Sequence, residues 1–334
     1  MRIGVAGTGR IGSFHAETLR GQPEIESIVV ADVDAARARQ LAEKLGVEAV
    51  DTVDELFTSG IDALVITAAT SAHAGLIRQG IDAGVAVFCE KPVSQDVPST
   101  RDVLARGAET GTPVQIGFQR RFDRGYGRVR EAVRSGELGW IHTMRAMTAD
   151  ASPPPAAYVP LSGGLYRDCS VHDFDIVRWV TGAEVESVYA LGSNQGEKFF
   201  GDAGDVDTAV AALKLDNGIL VTVSATRYNG AGHDVRLEVC GSAGGLVVGL
   251  DDRAPLFSAE PSVSWQQAET PYQTFLERFH DAYLAELRAF VDVVAGRRPS
   301  PCTVDDALQA FYIAEACQLS QDTGRPVRLA EVKA

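Results

Sequence analysis

The sequence predicts an α/β protein: an open, doubly wound parallel sheet first, then an α+β domain with a large open, mainly antiparallel sheet. Three observations predict it. Short, continuous apolar runs alternate with helix-like stretches in the first third, the pattern of right-handed βαβ crossovers. Past about residue 120 the strands become hairpin-linked, which builds antiparallel sheet. The length, 334 residues, suits two domains, which we place at 1–120 and 121–334, with C-terminal helices able to pack back on the first.

In the first part, residues 3–6, 25–31, 63–67, 86–89 and 114–117 read as buried strands, being rich in Val, Ile and Ala and bounded by Gly, Asp or Pro. Helical spacing marks 11–20, 35–45, 74–83 and 99–110, with Asp34 a suitable N-cap and Gly46 a suitable C′ residue for the second helix. In the second part a helix at 125–135 leads to a strand at 141–149, and Ser152-Pro153-Pro154-Pro155 reads as a surface loop. An amphipathic helix at 171–180 follows, then strands at 185–191, 208–215, 219–226, 235–240 and 246–248. Asp216-Asn217-Gly218 predicts a hairpin with a type I′ turn. Helices at 275–295 and 304–322 end the chain, the second opened by a Thr303/Asp306 capping box and closed by Gly324 and Pro326.

Composition narrows the function. Apolar residues make up 45% and charged residues 23%, ordinary for a globular protein and wrong for a disordered one. The formal net charge of −14 repels phosphate backbones and anionic lipid, so neither nucleic acid nor a membrane surface is an expected partner. Five scattered cysteines without a CxxC pair make no disulfide framework and no zinc site, and fit a reducing cytoplasm. The chain opens directly on a strand, without a charged head and apolar signal core.

Gly7-Thr8-Gly9-Arg10-Ile11-Gly12 is GxGxxG, placed between the first strand and a helix as a Rossmann dinucleotide site requires. The first Gly permits the turn, the second admits a pyrophosphate, and the third lets helix and strand approach. The helix N-terminus supplies N–H donors for the phosphates. Asp32 ends the second strand, where a carboxylate accepts both ribose hydroxyls and repels a 2′-phosphate. Val33 follows it in place of an Arg, which favours NAD; Arg37 and Arg39 on the next helix are explained equally by a solvated face.

Glu90-Lys91-Pro92 follows a parallel strand on the edge that faces ligands, where a Lys can bind a substrate hydroxyl and share its proton. Asp168 and His172, four residues apart, come to one end of one helix. His titrates near operating pH and is the usual proton acceptor when an alcohol becomes a ketone, with Asp168 able to orient it. An equally weighted structural account has Ser170 capping the helix, with Asp168 and His172 as local surface groups. His172-Asp173-Phe174-Asp175 has no second His at ligand spacing, so no metal is expected. His15 and His73 fall on helices of the first domain, where packing or loop anchoring explains them.

Taken together, Gly7–Gly12, Glu90-Lys91-Pro92, Gly117-Phe118-Gln119-Arg120-Arg121-Phe122 and the Asp168–Asp175 segment resemble the Gfo/Idh/MocA family of NAD(P)-dependent oxidoreductases over essentially the whole chain. The segment from Ser162 to Asp175 is most similar to bacterial inositol 2-dehydrogenases. The resemblance implies a catalytic set of Lys91, Asp168 and His172, with His172 taking the hydroxyl proton, Lys91 assisting and Asp168 holding the geometry. It implies cofactor contacts from Gly7, Gly9, Arg10, Ile11, Gly12, Asp32, Thr70, His73, Glu90 and Lys91, and substrate contacts from Lys91, Asp168, His172 and His233. It also implies a homotetramer built through the open face of the second sheet. Two departures stand out: Ala68-Ala69-Thr70 replaces the family's Thr-Pro-Asn, and Ala231-Gly232-His233-Asp234 replaces a Tyr-Gly-Tyr-Asp-like segment. The expected activity is NAD-dependent oxidation of a cyclic polyol, myo-inositol first, with another inositol or a pyranose as the alternative. A non-catalytic NAD-sensing regulator is the rival from another class, since fold alone does not fix function.

Overall fold

The computed structural model describes residues 1–262 and 268–333. The chain divides into two compact units: Met1–Gln119 with Tyr283–Leu308, and Arg120–Ala282 with the chain from Gln309 onward.

The first unit holds strands β1 (Arg2–Ala6), β2 (Ser27–Ala31), β3 (Glu48–Ala49), β4 (Ala63–Ile66), β5 (Ala86–Glu90) and β6 (Val114–Gly117). All run parallel in the order β3-β2-β1-β4-β5-β6. The winding reverses between β1 and β4, which opens a crevice at the carboxyl ends of the strands. Asp34 caps the helix Ala35–Leu45 by accepting from the amides of Ala36 and Arg37, and Gly46 closes it at φ 64°. The sequence reading missed β3 and the helix Val53–Thr58, which at two and six residues are too short to show a period. The core packs Ile3, Val5, Val30, Val65 and Phe88 with Leu287, Phe290 and Val291, so residues far along the chain complete this sheet. Those three lie on the helix His280–Val294. The single helix expected over 275–295 is in fact two. Phe279 leaves helical geometry at φ −112°, ψ 19°, and its buried ring lies under the guanidinium groups of Arg120 and Arg278.

The second unit holds β7 (Ile141–Ala149), β8 (Val185–Ser193), β9 (Thr208–Leu215), β10 (Leu220–Thr226), β11 (Asp234–Gly241), β12 (Gly245–Val248) and β13 (Val327–Arg328). The order is β12-β11-β7-β10-β9-β8-β13, with β7 and β10 parallel and every other pair antiparallel. Alternation along the strands sends Val188, Ala211, Leu213, Val223 and Leu237 into the interior. The opposite face leaves Tyr189, Leu191, Val210 and Leu220 between 39% and 54% exposed. The β9–β10 hairpin forms as expected, with a different turn. Among the described residues no non-Gly residue has positive φ, so this turn is not type I′; Gly218 N–H donates to the Leu215 carbonyl, and within the turn Gly218 alone is left-handed, at φ 89°. The three-residue loop with a bulged Gly has the same right-handed twist match as the shorter turn.

Two buried ion pairs hold this unit together. Arg120 donates to Asp173 at 2.5 Å and to Thr148 at 2.8 Å, while Arg121 grips Asp175 through Nε at 2.8 Å and Nη2 at 2.5 Å. All four charged side chains are at most 4% exposed. Removing one member leaves the other charge buried and alone, which costs about 3–5 kcal/mol. Asp173→Ala is therefore expected to lower unfolding stability in urea by about that amount, whereas Glu238→Ala, at the exposed Arg145–Glu238 pair, changes it by about 1 kcal/mol or less. Equal losses in the two variants would contradict the assignment.

Candidate active site

The glycine-rich turn leads from β1 into the helix Arg10–Arg20. Gly7 has φ 100°, and a Cβ there would lie 2.5 Å from the Ala68 nitrogen. A Cβ on Gly12 would lie 2.0 Å from the Gly7 carbonyl oxygen, so only glycine lets the helix approach the strand. Gly9 is the opposite case: nothing lies within 4 Å of its Cβ position. That is the side open to a pyrophosphate. Gly9 is the N-cap without any side-chain cap, so the first-turn amides of Arg10, Ile11 and Gly12 lack an acceptor inside the helix and point their dipole at the opening.

Asp32 follows β2 and is 4% exposed. Its Oδ2 accepts from the Thr8 amide at 2.6 Å and the Thr8 hydroxyl at 2.9 Å, and its Oδ1 accepts from the Asp34 amide at 2.9 Å. Arg37 adds Nη2 to Oδ1 at 2.5 Å and Nε to Oδ2 at 3.2 Å. Burial alone would raise the carboxyl's pKa; the bonds from Arg37, Asp34 and Thr8 outweigh it and lower it to about 2. Sequence reasoning left Arg37 open between a place near the acid and a solvated helix face; the structure pairs it with Asp32 while leaving it half-exposed.

The other expected cofactor residues of this unit follow β4 and β5. Thr70 opens the helix Thr70–Asp82, behind Ala69 at the N-cap. His73, read from sequence both as a cofactor contact and as a packing or loop-anchoring group, has both ring nitrogens within hydrogen-bond distance of main-chain oxygens: Nδ1 of Pro92 O at 2.7 Å and Nε2 of Ala68 O at 3.0 Å. It is 2% exposed, and burial lowers its pKa despite those carbonyls. Its role is to anchor the loop after β4 to the segment after β5. Glu90, the last residue of β5, pairs with the buried Nε2 of His15 at 2.7 Å, which fixes the strand end from which Lys91 follows. His15 is thus an anchor rather than mere packing.

In the second unit a π-helical turn, Tyr166–Ser170, runs directly into the helix Val171–Thr181. Ser170 makes no side-chain cap and is itself helical, so the capping account fails. Asp168 lies inside the π turn, a distortion that recurs at functional sites. Its Oδ2 accepts from Arg227 Nη2 at 2.6 Å and its Oδ1 from the Tyr158 hydroxyl at 3.0 Å. Arg227 also donates Nη1 to Asp150 at 3.0 Å, and His233 Nδ1 stands 3.4 Å from the same carboxylate. Burial pushes the Asp150 carboxyl up, but His233 and Arg227 bring it below its ordinary value. His172 sits in the first turn of the helix, beside the locked Asp173. His233 is 4% exposed and linked through Asp150 and Arg227 to Asp168.

Sequence reasoning missed Arg227, Tyr158, Asp150 and Thr8. Thr8 was readable as a hydroxyl inside the glycine turn. The other three reach Asp168 from 59, 10 and 18 residues away or through one another, and no local spacing marks them. Lys91 belongs to the first unit, Asp168 and His172 to the second.

A Gly cradle at a helix N-terminus and a buried acid after β2, on a doubly wound parallel sheet, are the marks of a dinucleotide-dependent oxidoreductase. Residues 1–118 match the NAD-binding Rossmann-fold domain of the Gfo/Idh/MocA oxidoreductases, and residues 130–329 match that family's C-terminal alpha/beta domain. The chain belongs to the Gfo/Idh/MocA oxidoreductase family. It is 35% identical to the uncharacterized oxidoreductase YrbE of Bacillus subtilis strain 168, covering 98% of this chain and 96% of that protein. It is also 35% identical to the myo-inositol 2-dehydrogenase of Thermotoga maritima, covering 99% of each chain. The crystal structure of scyllo-inositol dehydrogenase from Lactobacillus casei with bound NAD(H) and scyllo-inositol superposes with a TM-score of 0.89 at 28% identity, covering 99% of each chain. The cofactor is NAD, and the cradle at Gly7–Gly12 fits it, having space only where a pyrophosphate must pass. Among the described residues no helix is long and apolar enough to cross a membrane.

Asp32 generates a prediction with a sign. Its folded pKa of about 2 lies below the unfolded carboxylate value of about 3.9, so the stability it contributes is present above that value and lost as pH falls toward 2. It stays ionised from pH 5 to 9, so NAD+ affinity is expected to show no step from this group across that range. Asp32→Ala removes charge-assisted acceptors, expected to weaken NAD+ by roughly ten- to hundredfold and to narrow the kcat/KM gap between NAD+ and NADP+. A wild-type preference for NADP+ in that assay would contradict the reading.

Proposed function

We propose that the protein is an NAD-dependent dehydrogenase that oxidises a ring hydroxyl of a cyclic polyol, with myo-inositol to 2-keto-inositol as the first candidate. The observation that carries it is Asp168 on the π turn, gripped by Arg227 and Tyr158, with His172 in the first turn of the helix that continues it. The full-length likeness to relatives named for myo- and scyllo-inositol supports the substrate class. When bound, NAD+ supplies the hydride acceptor at its nicotinamide ring. The chain supplies the rest. His172 takes the hydroxyl proton, because an alcohol losing hydride is too weak an acid to lose it unaided. Asp168, fixed at both oxygens, holds the geometry, and Lys91 binds the hydroxyl and shares its proton. A related polyol or a pyranose is the second reading, favoured by His233: a buried imidazole on Asp150 stands where inositol dehydrogenases tend to carry tyrosine.

NADH production from a panel of inositols and monosaccharides tests the reading, and turnover of none of them removes it. His172→Ala is expected to cut kcat by about 10²–10⁴-fold while NAD+ affinity, measured alongside, stays nearly intact. Near-normal turnover would pass the proton to another group. For wild type, kcat/KM for oxidation is expected to rise with pH as the base deprotonates.

We also infer a homotetramer built through the open sheet face. Tyr189, Leu191, Val210 and Leu220 form an exposed apolar strip on neighbouring strands β8, β9 and β10, of the kind that marks a protein interface. Five free thiols suit a reducing compartment such as the cytoplasm. Light scattering at micromolar concentration is expected to show about four times the 35.6 kDa chain mass; a monomer alone would contradict it.

A further inference from the structure

The bonding at Asp32 is fuller than a ribose site needs. A carboxylate offers about four acceptor positions, and five donor contacts converge here. Two of the donors are main-chain amides, Thr8 on Oδ2 and Asp34 on Oδ1, and they cannot leave without unmaking the turn. They leave one position on each oxygen, which matches the two hydroxyls of a ribose diol. In this structure those positions are taken. Arg37 Nη2 holds Oδ1 at 2.5 Å, and the Thr8 hydroxyl and Arg37 Nε share Oδ2. A guanidinium edge presents two parallel N–H donors to a carboxylate, as a diol presents two O–H donors. The Thr8 hydroxyl, buried beside Asp32, can stay in place and turn its proton from Oδ2 to an incoming ribose oxygen. Arg37 is the donor that must physically depart.

We propose that Arg37 is a built-in competitor for the ribose seat and a determinant of cofactor selectivity: it occupies the acceptor positions that the 2′- and 3′-hydroxyls of NAD+ require, and once displaced it stands beside the 2′ position as a cation. Its exposure supports exchange. The Arg37 side chain is 49% exposed whereas Asp32 is 3% exposed, so the arginine can swing into water while the acid stays fixed. Arg37 lies on the first turn of the helix Ala35–Leu45, five residues from Asp32, and remains within reach after release. The closed pair lowers the apparent affinity for NAD+ by the fraction of time it is formed. The displaced guanidinium offsets the repulsion between Asp32 and a 2′-phosphate, since arginine recognises phosphate well. The preference for NAD+ is thus set by Asp32 and moderated by Arg37.

The test uses the full-length protein and titrates NAD+ and NADP+ separately by calorimetry, without any polyol, for wild type, Arg37→Gln and Arg37→Lys. Arg37→Gln is expected to bind NAD+ about two- to fivefold more tightly, the range for a half-exposed ion pair, and to bind NADP+ more weakly. The ratio of the two affinities then moves toward NAD+ by threefold or more. Arg37→Lys keeps the charge without the fork, and is expected to gain on NAD+ while holding its affinity for NADP+. A ratio changed by less than threefold in Arg37→Gln overturns the proposal, as does an NAD+ affinity that falls. Thermal melting of each variant identifies misfolding, in which case Arg37→Lys decides: unchanged NAD+ affinity overturns the proposal, and tighter binding supports it. Because no substrate is present, failure of the polyol reading leaves this outcome unaffected.

Discussion

Two arginines buried beside two aspartates are the constraint on which the second unit depends. Arg120 and Arg121 are neighbours in sequence, so their side chains diverge, and they meet Asp173 and Asp175 on one helix. A charge this deep is tolerated only when paired, and Thr148 supports the first pair by bonding both Arg120 and Asp173. The pairing admits one rotation of that helix about its axis. His172 lies next to Asp173, and Asp168 one turn earlier, so their placement follows from it.

The same chemistry serves a different end where water reaches it. The Arg227 guanidinium, 7% exposed, bridges Asp150 and Asp168 and acts as a fixed strut. Arg37, half-exposed, pairs with a more deeply buried carboxylate and acts as an exchangeable occupant. Guanidinium and carboxylate are the components in each case. Solvent exposure of the arginine decides whether the bond is scaffold or ligand surrogate, because water stands ready to replace one partner and not the other.

Histidines show how burial sorts residues that look alike in sequence. His15 and His73 lie on helices of the first unit and are buried against Glu90 and two main-chain carbonyls respectively, where each ties a loop or strand end to its neighbour. These anchors set the position of the segment from which Lys91 projects. The ends of β4 and β5 are therefore tied by polar bonds, which suits loops that leave a sheet edge.

The sequence by itself determined the parallel sheet, the glycine turn, the caps at Asp34 and Thr303, the hairpin after β9 and the acid at Asp32. Each is written in local spacing: a strand's apolar run, a positive-φ glycine, a cap within four residues of its amide. It also placed Glu90, Lys91, Asp168 and His172 at element ends. Only the tertiary structure decided that Arg227 and Tyr158 hold Asp168, that Leu287, Phe290 and Val291 complete the first core, and that His73 anchors a loop. The same holds for the break at Phe279 and the π turn at Asp168. The physical reason is range. Periodicity and capping report what a residue does for its own element, whereas a buried charge or ring is satisfied by whatever the fold brings near, and that partner leaves no mark in the neighbouring sequence.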